Sequence, residues 1–347
     1  MATESEQIRI PIASAAGERI VSLQVLRFVA ATGVIILHAW QTLGRTSTTH
    51  FGLIGQFGPA GVDLFFVLSG FIITSVSHGK TASEFLKRRF TRILPLYWTL
   101  TVLMMAVEIG AGMFDPRGMI SSFLFVPMYG PYVAIGWTLC FEVLFYLCFA
   151  FALLKPKQLV PVILGLYVTA AIGREILGSP LLQFVGNPLI LEFLAGCLIA
   201  FLPRSRTLAW ISGICAMAWG ALIFATGYEA GAHQPVLSGD AIWLRVLMWG
   251  VFAFFVIYFS VQLRLKGTIW NMLSYFGDAS YSAYLVHEIV LIVFILARGL
   301  APSKTITFLA IISCWTVAVL VHEGLEKPLS RIFRRPMVAP TKEFLAA

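Results

Sequence analysis

Apolar residues gather in long runs along this chain, broken by short polar turns and never alternating with polar positions for long. Ten runs stand out, at about 22–42, 58–77, 93–112, 134–154, 158–177, 187–202, 208–226, 243–262, 279–299 and 305–325. Most approach the roughly 20 residues an α-helix needs to cross a bilayer core. Inside lipid no water is present to satisfy free backbone groups, so such runs must close their hydrogen bonds within helices. The pattern predicts an all-α fold, a polytopic transmembrane helical bundle of about ten spans. The sixth run is short, bounded by Asn187-Pro188 and Pro203, and fits the template least well. No internal repeat, low-complexity tract or heptad accompanies the runs.

Composition narrows the class. The 347 residues are 59% hydrophobic and 12% charged, where a soluble domain is about a quarter charged. The mean hydropathy of +0.85 agrees. The expected organisation is a cytosolic tail at 1–18, one membrane domain at 19–335 and a second cytosolic tail at 336–347. The opening MATESEQIRIPIASAAGERI is polar and of mixed charge, unlike the basic start, short apolar core and cleavage site of a signal peptide. Cys140, Cys148, Cys197, Cys215 and Cys314 all fall in apolar runs without metal-type spacing, which reads as packing.

The net charge is +8, and its distribution orients the bundle. With the N-terminus in the cytosol, eighteen of the 25 Lys and Arg lie on the cytosolic side, six on the outer side, and Arg27 within the first span. That bias predicts an even number of spans with both termini cytosolic. The basic, proline-rich EKPLSRIFRRPMVAP near the C-terminus is expected on the anionic inner leaflet.

Ionisable residues inside the runs carry the chemistry, because each is costly in hydrocarbon. Arg27 and His38 are eleven positions apart in the first run. Eleven residues turn about 1100°, so both side chains share one helix face, roughly 16 Å apart along the axis. Arg27 lies toward the cytosol, where snorkelling to lipid phosphate is the alternative to a binding role. His38 lies toward the outside, where a neutral imidazole can accept a proton from a hydroxyl or simply join two helices. Asp63 opens the second span near the depth of His38, placed to orient it, to pair with a cation or to sit against helix N–H groups. In EFLKRRFTRILPLYW, a cytosolic turn, Arg89 and Arg92 are i,i+3 neighbours able to clamp a phosphate, as well as a positive-inside anchor. In GWTLCFEVLFYLCFAFALL, Glu142 is buried in an apolar helix with Trp137 at its outer start and Tyr146 a turn further on. A carboxyl there must be neutral or paired, with Arg27 and His38 as the available partners. His287 and Glu288 fall in the ninth run, toward its cytosolic half, and His322 and Glu323 end the tenth. Neither His-Glu pair continues into the two-histidine zinc motif.

Together these blocks resemble the acyltransferase family 3 of integral membrane proteins, over about 19–335. The family's arginine and histidine of the first span match Arg27 and His38. Its GVDxFFVxSGF block matches Gly61 to Phe71, and its cytosolic RxxR matches Arg89 and Arg92. Its W-[ST]-L-x-x-E-x-x-F-Y block matches Trp137, Thr138, Leu139, Glu142, Phe145 and Tyr146, and its SYSxYLxH block matches Ser280 to His287. Within the family the chain is most similar to succinoglycan-type exopolysaccharide acetyltransferases, with Cys140 and Phe141 where closer members carry asparagine and tyrosine.

The resemblance implies a multi-pass enzyme of the bacterial inner membrane. It implies transfer of an acyl group, usually acetyl, from cytosolic acyl-CoA to a sugar hydroxyl. The donor is a substrate, with no permanently bound cofactor and no metal. A carbohydrate acceptor and polysaccharide assembly or export proteins are the implied partners, and nucleic acid is not one. The implied catalytic set is His38 as base with Asp63 or Glu142 orienting it. The implied donor-binding set is Arg27, Arg89, Arg92, Trp137 and Tyr146. The rival reading is a transporter of acyl groups or glycans, since intramembrane charges also mark transport paths. Such a protein is expected to show repeated halves and paired broken helices, and the sequence gives no sign of either.

Overall fold

A computed structural model describes residues 20–44, 57–110, 112, 114–126, 131–228, 241–298 and 304–334. The two tails expected at 1–18 and 336–347 lie outside the described residues. Among those described, nine helices are long and apolar enough to cross a membrane, and a tenth is 17 residues long. In chain order they are α1 (Val21–Leu43), α2 (Ala60–Val76), α3 (Ala82–Gly110), α4 (Ala134–Ala152), α5 (Pro156–Leu177), α6 (Pro180–Phe201), α7 (Arg206–Thr226), α8 (Ile242–Val261), α9 (Ser280–Ala297) and α10 (Lys304–Phe333). The chain is an all-α, multi-pass membrane bundle, as the apolar runs indicated.

Local signals set the helix ends. Thr81 and Glu84 form a reciprocal capping box at the start of α3: the Thr81 backbone N–H donates to Glu84 Oε2, and the Glu84 N–H donates to Thr81 Oγ1. This cap draws the helix back to Ala82, so Lys87 to Arg92 lie on α3 itself and not in a turn. The sixth run gains its length in a similar way. Its helix starts at Pro180, breaks after Val185 and resumes at Ile190. The Asn187 side chain accepts from the Leu189 N–H at 3.0 Å and repairs the break.

Close crossings depend on glycine. A Cβ at Gly70 would collide with the Phe193 carbonyl oxygen, and one at Gly196 with the Val67 carbonyl oxygen, so α2 and α6 meet backbone to backbone. Phe66 and Phe145 sandwich Phe193 beside that crossing, each at 4.6 Å between ring centroids. The amphipathic helix Thr268–Asp278 presses Gly277 onto the Gln24 carbonyl of α1. This contact sets the depth at which α9 begins.

Candidate active site

Five of the residues singled out from the sequence line one cavity. Arg27 from α1, Arg89 and Arg92 from α3, and Glu142 and Tyr146 from α4 surround an empty volume of about 840 Å³, its mouth included. Arg89 rests over the Phe85 ring at 5.8 Å, which steadies its guanidinium. Arg27 is 9% exposed and donates to Gln24 Oε1 on its own helix at 3.3 Å, so it is packed within the bundle and does not snorkel outward. Glu142 takes two hydroxyl donors on one oxygen, from Tyr146 at 2.5 Å and from Ser69 at 3.1 Å. The expected partners of Glu142, Arg27 and His38, give way to these hydroxyls. One turn separates Glu142 from Tyr146, so the i,i+4 geometry of a single helix supplies the stronger bond.

Thr138 and Tyr284 also line the cavity, and their hydroxyls lie 3.0 Å apart. Trp137 does not form part of its wall. The indole packs edge-on against Phe66 at 6.5 Å and Phe141 at 6.1 Å, because it sits at the helix start and turns toward α2. The expected place of Trp137 in the donor-binding set therefore does not match the cavity.

His38 stands outside the cavity lining, and its side chain pairs with neither Asp63 nor Glu142. Its Nδ1 is 2.9 Å from Nε2 of His287, with the two ring planes 20° from parallel. His287 is fully buried, and its Nδ1 lies 3.2 Å from the Ala283 carbonyl oxygen. Tyr284, which lines the cavity, packs on His287 at 5.8 Å, so the cavity wall touches the histidine pair. The sequence placed His287 toward the cytosolic half of its span. The structure puts it level with His38, because Gly277 seats the preceding helix against α1 and α9 starts inside the bundle.

Asp63 is fully buried and held by Arg245, whose Nε and Nη2 donate to its two oxygens at 3.0 and 2.8 Å. That bidentate fork satisfies a carboxylate which would otherwise be prohibitive in the bundle. Glu192, 1% exposed, stands beside this pair, so one arginine faces two carboxyl groups. The partner of Asp63 was invisible locally, being 182 positions away.

A third cluster joins the start of α9 to the last turns of α10. Glu326 Oε2 accepts from Ser282 at 2.6 Å and contacts His322 Nδ1 at 2.7 Å. All three polar clusters abut π-helical turns: Trp40–Gly44 after His38, Val246–Gly250 after Arg245, and His322–Glu326 itself. Such one-residue insertions rotate side chains off the regular helical register and recur at functional sites.

Comparison with known proteins agrees with this picture. The acyltransferase domain family matches residues 20–321. The chain is 31% identical over 320 residues to the exopolysaccharide production protein ExoZ of Rhizobium meliloti (strain 1021), covering 86% of this chain and 95% of that protein. It is 25% identical over 327 residues to the peptidoglycan O-acetyltransferase OatA of Listeria monocytogenes serovar 1/2a, covering 79% of this chain and 51% of that longer protein. It is 23% identical over 318 residues to nodulation protein 10 of Rhizobium leguminosarum bv. viciae, covering 78% of this chain and 82% of that protein. No solved structure matches. A family match that runs from the first span into the tenth, together with a relative 31% identical over nearly its whole length, shows that this chain belongs to the integral-membrane acyltransferase family and is an O-acyltransferase.

Proposed function

We propose that the protein moves an acyl group, acetyl by preference, from cytosolic acyl-CoA to a hydroxyl of an exported or surface polysaccharide or its lipid-linked precursor. On this reading it works in the bacterial inner membrane beside polysaccharide assembly or export proteins. The observation that carries the reading is one cavity lined by Arg89, Arg92, Arg27 and Tyr284 together. Guanidinium forks suit the phosphates of coenzyme A at the cytosolic mouth. The apolar walls from Val62 to Ile73 suit a pantetheine arm, and Thr138 and Tyr284 stand where the thioester arrives. The functions for which the relatives are named, exopolysaccharide production and peptidoglycan O-acetylation, support a carbohydrate acceptor.

In the proposed reaction His38 removes the proton from the acceptor hydroxyl as its oxygen attacks the thioester carbonyl carbon. The new C–O bond forms, the C–S bond breaks, and His38 returns the proton to the departing thiolate. Water is kept out by the aromatic packing of Phe65, Phe66 and Tyr284, which protects the thioester from hydrolysis. The test is His38→Ala at normal membrane level, with the acetyl content of the cell's polysaccharide compared with wild type. Loss of acetylation with polymer export intact is expected. Unchanged acetylation overturns the assigned base, and lost export with acetylation retained favours a transporter.

A further inference from the structure

The His38–His287 contact carries more than proximity, and its meaning for catalysis rests on the reading of His38 as the base. A backbone carbonyl only accepts hydrogen bonds. His287 Nδ1 lies 3.2 Å from the Ala283 carbonyl oxygen, so that nitrogen holds a hydrogen. A neutral His287 then keeps its lone pair on Nε2. His38 Nδ1, at 2.9 Å from that lone pair, must bring a hydrogen of its own. The chain of donors therefore ends with the His38 lone pair on Nε2, the nitrogen His287 does not engage.

We propose that His287 is the positioning residue for the transfer: it fixes His38 in the Nδ1–H tautomer and steadies the imidazolium formed when Nε2 takes the hydroxyl proton. Serine hydrolases use a buried carboxylate in this place. Here the supporting group is a neutral ring, which adds no charge to the resting bundle. An unpaired carboxylate at this depth carries a cost that an imidazole avoids. The surroundings fit a neutral support. Tyr284, packed on His287, directs its hydroxyl to Thr138. The Cys314 thiol contacts the His287 carbonyl oxygen at 3.8 Å, and Glu288 accepts from the Ile135 N–H at 3.5 Å. The carboxylate of Asp63 is already taken by Arg245. During turnover the proton passes from the hydroxyl oxygen to His38 Nε2 and from there to the thiolate, while His38 Nδ1–H stays bonded to His287 Nε2. No other co-reactant is required.

The experiment measures acetyl transfer from labelled acetyl-CoA to the cell's own polysaccharide, in membranes holding the full chain at matched levels. His287→Leu removes the acceptor, and His287→Gln restores one as an amide oxygen. The expected result is a fall in kcat of about 100-fold for His287→Leu, within the range a general base contributes. The KM for acetyl-CoA should stay within about threefold, because the donor cavity is untouched, and His287→Gln should regain about tenfold. Wild-type kcat in His287→Leu overturns the proposal, as does equal loss in the Leu and Gln variants. Should His287→Leu fail to accumulate, His287→Met takes its place in the same comparison. His38→Ala, run alongside, separates the two readings. Activity retained in His38→Ala sinks the base itself. An inactive His38→Ala beside a fully active His287→Leu sinks only the positioning role.

Discussion

Arg245 holds both carboxylate oxygens of Asp63 across 182 positions of sequence, joining α8 to α2 in the interior of the bundle. Asp63 is 0% exposed and the Arg245 side chain 13%, so the carboxylate in particular has no water to fall back on. Breaking such a pair from one side leaves a buried charge and costs about 3–5 kcal/mol. Arg245→Ala and Asp63→Ala are therefore each expected to lower the unfolding temperature in detergent sharply. Arg245→Met with Asp63→Leu should recover most of the loss, since both charges then disappear together. Two single variants as stable as wild type would show that the pair is dispensable.

Steric logic at the α2–α6 crossing gives a second test. Gly196→Ala places a methyl group against the Val67 carbonyl, where backbone must move. Overpacking of this kind costs about 1–3 kcal/mol. Gly165→Ala is the matched control, because nothing lies within 4 Å of its Cβ position. Removing a helix-interior glycine there should stabilise slightly, by up to about 1 kcal/mol. Thermal unfolding of the two variants should move in opposite directions. A Gly196→Ala protein as stable as the Gly165→Ala control would refute the close crossing.

Donor binding is expected to depend on charge at the cytosolic mouth. Each charge-assisted hydrogen bond to phosphate contributes about 1.5 kcal/mol or more. Replacing Arg89 and Arg92 together by alanine should raise the dissociation constant for coenzyme A at least tenfold, read by calorimetry on purified protein. Binding to wild type should weaken with added salt, and binding to the double variant should be less salt-sensitive. Equal affinity in both proteins would reduce the cluster to a topological anchor.

Glu326 organises the third cluster by accepting from Ser282 and contacting His322 at 2.7 Å. His322 is 5% exposed, so Glu326→Ala strands a buried ring nitrogen. A lost partner of this kind costs about 1–3 kcal/mol. Glu326→Gln keeps an acceptor and should lose less. The comparison is made by thermal unfolding, and identical behaviour of the two variants would argue that the cluster contributes only bulk.

Much of the site was legible because its residues stand out chemically against apolar runs. Arg27, Arg89, Arg92, Glu142 and Tyr146 were visible one by one, and the fold brings all five to one cavity. Trp137 was visible too, yet its ring turns toward Phe66, a choice set by packing and not by its position at a helix start. His287 was noticed and misplaced in depth, since counting from the start of its run ignores how Gly277 seats the helix before it. Arg245 was counted as a topological charge on the outer side, and nothing local distinguishes it from Arg298.

Class and helices were readable from the order of residues alone, and the expected orientation rests on that same order. Lipid forces every apolar run to satisfy its own backbone, and loop arginines resist translocation, so both properties are local and additive along the chain. Pairing was settled only in three dimensions. Which helix faces which depends on where glycines let backbones touch and on which buried charge finds which partner. Those interactions join positions hundreds of residues apart, as His38 and His287 are, separated by 249. No local pattern encodes such a contact, which exists only once the bundle has closed.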